Sequence, residues 1–66
     1  MINRLELEGA IKVSGFTMKE IANELDIDIS TLHRKINGTS DFYREEIKIL
    51  CDLLKIKDPK PIFFDD

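Results

Sequence analysis

One six-residue pattern recurs along this chain: an apolar residue, a capping position, two variable positions, a Glu or Thr, and a second apolar residue. It stands at Ile2-Asn3-x-x-Glu6-Leu7, Phe16-Thr17-x-x-Glu20-Ile21, Ile27-Asp28-x-x-Thr31-Leu32 and Phe42-Tyr43-x-x-Glu46-Ile47. At a helix start the cap side chain accepts from the amide three residues on, where a Glu reaches back to the cap amide. The two flanking apolar residues staple across the first turn. Each occurrence therefore marks a helix start, and the spacing leaves room only for short helices.

The stops agree with the starts. Gly15 and Gly38 suit the left-handed residue that follows a helix, and Asp26 tolerates that conformation better than most residues. The predicted helices are Arg4 to Ser14, Met18 to Leu25, Ile29 to Asn37 and Arg44 to Leu54. Asp58-Pro59 starts a fifth, with Pro at the first helical position, and Pro61 limits it to about a turn. Gly9 weakens the first helix by about 1 kcal/mol relative to Ala. Helix 4, with Ile47, Ile49, Leu50, Cys51, Leu53 and Leu54, is apolar enough to be the central buried element. Tyr43 cannot fold its side chain onto the first-turn amides, and a lost cap costs about 1 kcal/mol, so Tyr43→Thr is expected to raise the melting temperature. Ile62, Phe63 and Phe64 form an apolar cluster that needs burial, and Asp65-Asp66 reads as a solvated end. The expectation is an all-α, five-helix domain over residues 1–66.

Size and composition remove several classes of function. A chain of 66 residues buries only about 60% of its unfolded surface, so its stability is marginal. One Cys excludes an internal disulfide, and one His with one Cys is too few for a closed zinc site. A free thiol and no bridge fit a reducing cytosol, so a cytoplasmic location is expected. No apolar run approaches the ~20 residues that span a bilayer, and MINRLELEGA has acids where a signal peptide has a basic end. Neither Glu45-Glu46 nor Asp65-Asp66 has an apolar pocket for acid-base work, and Cys51 reads as a buried, inert thiol. No glycine loop would cradle a phosphate and no metal-ligand spacing occurs. No enzyme, cofactor or metal is expected.

The net charge of −3 opposes indiscriminate nucleic-acid binding, which depends on phosphate neutralisation. Its distribution does not. From Ile29 to Ser40 there is no acid, while His33, Arg34 and Lys35 are present. Caps at Thr17 and Asp28 stand eleven residues apart, which leaves a two-turn helix and a turn of about three residues. Such a turn sets two helices at about 90–120°, so the second enters a major groove while the first crosses the backbone. At about 100° per residue, Ile29, Leu32 and Ile36 share one face of helix 3. Ser30, Thr31, Arg34 and Lys35 occupy the opposite arc, with His33 and Asn37 beside it.

On this placement Ser30 and Arg34 face base edges, flanked by Thr31 and His33. Arg34 would pair with guanine O6 and N7. The helical angle of Ile29 places it with the core, whereas a partly exposed Ile there would pack on a thymine methyl. Thr17, Lys19, Lys35, Asn37, Thr39 and Arg44, near helix ends, are the phosphate-contact candidates. A charged outer helix face is more often only a solvated face.

Gly15-Phe16-Thr17-Met18-Lys19-Glu20-Ile21-Ala22, then Leu25, Ile27, Ser30-Thr31-Leu32 and Arg34-Lys35-Ile36-Asn37-Gly38, resembles the Cro and phage-repressor helix-turn-helix family (Xre-like). The likeness extends through helix 4 to Pro59-Lys60-Pro61-Ile62-Phe63-Phe64 and is nearest to small regulators of bacteriophages and prophages of Gram-positive bacteria. It implies a lambda-repressor-like domain with its helix-turn-helix at helices 2 and 3, binding operator DNA as a homodimer. By the family's pattern Ile29, Ser30, His33 and Arg34 read bases and Asn37 contacts phosphate. Two positions depart from it: Met18 replaces a frequent Gln that grips phosphate and supports the recognition helix, and Asp26 replaces Gly in the turn. A second expectation is therefore kept, a modulator on the same fold that captures a partner repressor through Ile62-Phe63-Phe64 or its acidic helices.

Overall fold

The computed structural model describes residues 2–64, so Asp65 and Asp66, expected as a solvated end, lie outside the described residues. Five helices follow in chain order: α1 (Arg4–Ser14), α2 (Met18–Leu25), α3 (Ile29–Asn37), α4 (Arg44–Leu54) and α5 (Lys60–Phe63). The first four have the predicted bounds. α5 begins one residue later than its Pro signal suggested: Pro59 holds the cap position and the Asp58 carboxylate accepts from the Lys60 amide at 3.1 Å.

The caps are built more variously than the pattern implied. Only α2 closes the full reciprocal box, with Thr17 Oγ1 accepting from Glu20 N at 3.1 Å and Glu20 Oε1 accepting from Thr17 N at 2.8 Å. At α1 the Asn3 side chain caps Glu6 N, but the Asn3 amide donates to the Ile62 carbonyl at 2.6 Å rather than to Glu6. That bond ties the first helix to the last. At α3 Asp28 has the extended backbone of a cap, yet its carboxylate makes no capping bond. Asp26 does turn left-handed, at φ 58°, and lets the chain leave α2 without a glycine.

The core consists of Leu7, Ile21, Ala22, Leu25, Leu32, Ile36, Leu50, Leu54, Ile62 and Phe63. Leu7, Ile21, Leu32 and Leu50 are fully enclosed, and each contributes about 1.5–3 kcal/mol by leaving water. α1, rather than α4, is the hub, because it packs against α3, α4 and α5. α4 commits only one face: Leu50 and Leu54 are buried, Ile47, Cys51 and Leu53 are half-buried, and Ile49 is exposed. Burial, then the neighbouring Asp52, push the Cys51 thiol above its ordinary pKa, which keeps it a poor nucleophile.

Other residues sit elsewhere than expected. Ile62 and Phe63 close the core, Phe63 meeting Phe42 edge-to-face at 5.7 Å, but Phe64 is exposed. The aromatic tail is therefore mostly spent inside the monomer. Phe16, written as a staple onto Ile21, remains at the surface beside Val13 and Leu53.

Tyr43 lacks a capping bond, as expected, although Glu46 accepts from its amide at 2.8 Å. Its ring, however, lies 4.1 Å from the Lys35 ammonium. Tyr43→Thr would gain a cap of about 1 kcal/mol and lose a cation–π contact of about 0.5–2 kcal/mol. The expected thermal melt is therefore unchanged within a few degrees. A rise of about 4–8 °C, the shift for 1 kcal/mol in a domain this size, would show that the ring contact contributes nothing.

Candidate nucleic-acid interface

The α2–turn–α3 unit is held from below by Ile21, Ala22 and Leu25 on one helix and Leu32 and Ile36 on the other. With that face buried, the opposite arc of α3 must point outward. Ser30, Arg34 and Asn37 are exposed there, and no carboxylate shares the arc. Arg34 forms no ion pair among the described residues, so its guanidinium is free to meet a ligand. The end of the helix is secured by backbone instead: Gly38 at φ 89° lets the Thr39 amide return to the Arg34 carbonyl at 2.9 Å.

The flanks of α3 differ. His33 is exposed and shares a groove with Arg4, Lys12, Met18 and Asn37 on the α1 side. Thr31 is half-buried on the other side, in a hollow with Thr39, Asp41 and Tyr43. Ile29 is 46% exposed at the helix entry, so it belongs to the surface and not to the core. Its position a full turn ahead of Leu32 and beyond the end of α2 leaves nothing to cover it.

Lys35 is the main correction. Expected on the outer arc as a phosphate contact, it is only 5% exposed. Its Nζ lies 2.7 Å from Glu46 Oε1, donates to the Asp41 carbonyl at 3.1 Å, and sits against the Tyr43 and Phe42 rings. The same Glu46 oxygen takes the Tyr43 amide. Glu46, expected only as the reach-back Glu of a helix start, is 7% exposed for the same reason. A long aliphatic stem let Lys35 turn from the arc into the angle between α3 and α4, where a carboxylate and two rings await it. No helical wheel places that partner.

Of the remaining phosphate candidates Lys19, Asn37, Thr39 and Arg44 are exposed. Thr17 is exposed too, but its oxygen and amide are committed to the capping box, which leaves its hydroxyl proton to donate. The structure adds two cations, Arg4 and Lys12, one turn apart from Glu8 on the flank of α1 beside His33 and Asn37. Arg4 is paired with Glu8 at 3.2 Å, and Lys12 has no ion pair among the described residues. Their spacing of four residues on either side of Glu8 was visible in the sequence, but their place next to α3 depends on how α1 crosses it. Met18 is half-buried and lines that groove with Ile36, so it supports α3 by apolar contact although it lacks the polar grip of the Gln it replaces. Asp26 and Asp28 are exposed at the α3 entry and would repel phosphate.

The model of one protein family, described as bacterial regulatory protein, Fis family, matches residues 2–37. That segment is α1, α2 and α3 together, over half of the chain. The chain belongs to the Fis family of bacterial regulatory proteins. It is a helix-turn-helix, DNA-binding transcription regulator, and the outward arc of α3 lies in the part shared with other Fis-family chains. No curated protein and no solved structure matches it. Among the described residues no three His, Cys, Asp or Glu side chains could hold a metal ion, and no helix is long and apolar enough to cross a membrane.

Proposed function

We propose that this chain, as one helix-turn-helix domain, reads operator half-sites in the manner of Cro and the phage repressors, α3 lying in the major groove. The observation that carries the reading is the exposed, carboxylate-free arc of Ser30, Arg34 and Asn37, set on a helix whose other face is locked by Leu32 and Ile36. Arg34 makes the bidentate guanine contact, with Ser30 beside it and Thr31 and His33 on the flanks. Ile29, exposed at the entry, packs on a thymine methyl. Lys19, Asn37, Thr39, Arg44 and Thr17 hold the phosphates, and Lys12 joins them from α1. A homodimer sets half-sites about one helical turn, ~34 Å, apart. The resemblance of residues 15–38 to phage and prophage regulators supports this mode, and no enzymatic activity is assigned.

The decisive experiment retains DNA fragments from the chain's own genomic neighbourhood on the protein and sequences them. An enriched, shared site is expected. Its affinity should collapse as salt rises, and Lys19→Ala should weaken site and random duplex alike while lowering the salt slope by about 0.9. Retention that is indifferent to salt would favour the rival, capture of a partner repressor protein. For that rival Ile62 and Phe63 no longer offer a surface, since both are buried.

A further inference from the structure

The face of α1 turned away from the core carries Leu5, Gly9 and Val13, spaced i, i+4, i+8, where a surface helix would be polar. Leu5 is 80% and Val13 89% exposed, and Phe16, Leu53 and Ile56 border the stripe. Single exposed apolar residues need no explanation, but a stripe aligned along one helix and continued onto its neighbours marks an interface. Gly9 fits the same view. A Cβ there would meet nothing within 4 Å, so packing within the monomer does not require glycine. A mid-helix glycine sacrifices stability, and what it offers in return is close approach of another backbone.

We propose that two copies of the chain meet on this face, α1 packed antiparallel against α1 about a two-fold axis at Gly9. The proposal names the surface of the dimer put forward above. Three features favour a second copy as the occupant. First, the stripe is self-complementary: the axis sets Leu5 against the partner's Val13 and glycine against glycine, as an isologous contact requires.

Second, the charges match on the rim beside α4, while on the other rim Arg4, which falls near the other copy's Lys12, is paired with its own Glu8. Glu6 lies beside Leu5 at one end of the groove between α1 and the end of α4, and Lys55 lies beside Val13 at the other. The axis exchanges the ends of α1 and keeps its flanks, so each Glu6 arrives at the other copy's Lys55. Lys55 itself ends α4 in the left-handed conformation, at φ 58°, where glycine would be unstrained. A lysine held in a strained cap gives its side chain a reason to be there.

Third, α3 lies along the flank of α1 marked by Arg4, Glu8 and Lys12, while α4 and α5 lie along the flank of Glu6 and Ala10. An antiparallel axis leaves each flank on its own side, so both α3 helices emerge on one side of the dimer and meet one duplex. A parallel pairing would place them on opposite sides.

Sedimentation equilibrium of the full chain tests this without DNA. A concentration-dependent dimer is expected, and Val13→Glu should raise its dissociation constant about tenfold or more. The fold should persist by circular dichroism, because Val13 touches little in the monomer. Glu6→Lys and Lys55→Glu should each weaken the dimer, and the two together should restore it. A chain monomeric at every concentration overturns the proposal, as does a dimer indifferent to Val13→Glu or a double variant as weak as either single one. A monomer that still selects a DNA site would leave the DNA reading standing and remove only this surface.

Discussion

A Lys35→Ala chain is expected to lose about 3–5 kcal/mol of stability, the cost of stranding one member of a buried ion pair. Glu46 would keep its carboxylate 7% exposed with only the Tyr43 amide as donor, and the Phe42 and Tyr43 rings would face a void. For 66 residues the whole stability is about 3–10 kcal/mol, so this one change unfolds much or all of the population. Lys35→Met with Glu46→Leu is expected to behave oppositely. It removes both charges, fills similar volume and returns stability to near the starting value or above it. The Tyr43 amide then turns to water, since Tyr43 is exposed. Urea denaturation of the single and double variants measures the difference. If the single variant melts like the parent, the pair contributes nothing and Lys35 belongs on the outer arc after all.

Arg34→Ala is expected to leave the fold intact and to erase most of the preference for the selected site. The side chain is exposed and unpaired among the described residues, and the bond closing the end of α3 uses its carbonyl. A bidentate guanine contact carries about 1–3 kcal/mol of discrimination, or about 5- to 150-fold in the ratio of site to random-duplex affinity. Competition binding reads that ratio directly. Arg34→Lys should lose most of it too, because an ammonium keeps the charge without the planar fork. An unchanged ratio in Arg34→Ala would remove α3 from the base-reading role.

The two residues show where sequence reasoning holds and where it stops. Arg34 and Lys35 are neighbours in the same cationic run, and the helical angle put both on the outer arc. For Arg34 the angle sufficed, since nothing nearby competes with solvent. For Lys35 it failed, because Glu46 lies eleven residues on in another helix and meets the ammonium in a corner shared with the Asp41 carbonyl and the Tyr43 ring. Ile29 failed in the reverse sense: its angle matched the core, but no element covers the start of α3. Met18 looked like a lost grip and is instead half-buried against the recognition helix.

Helix starts and stops are local chemistry. A cap, its reach-back Glu and its staple lie within six residues, so the bounds of α1 to α4 could be read from the letters, and with them the helix-turn-helix. The core face of α3 followed from periodicity at Leu32 and Ile36, which lie about one turn apart and are both buried. What local chemistry cannot express is which helix lies beside which. That relation made α1 the hub, put Arg4 and Lys12 next to α3, drew Lys35 and Glu46 into burial, folded Ile62 and Phe63 into the core, and left Leu5 and Val13 in solvent. Long side chains and helix faces are settled by the neighbours they meet, and those neighbours are brought by the fold.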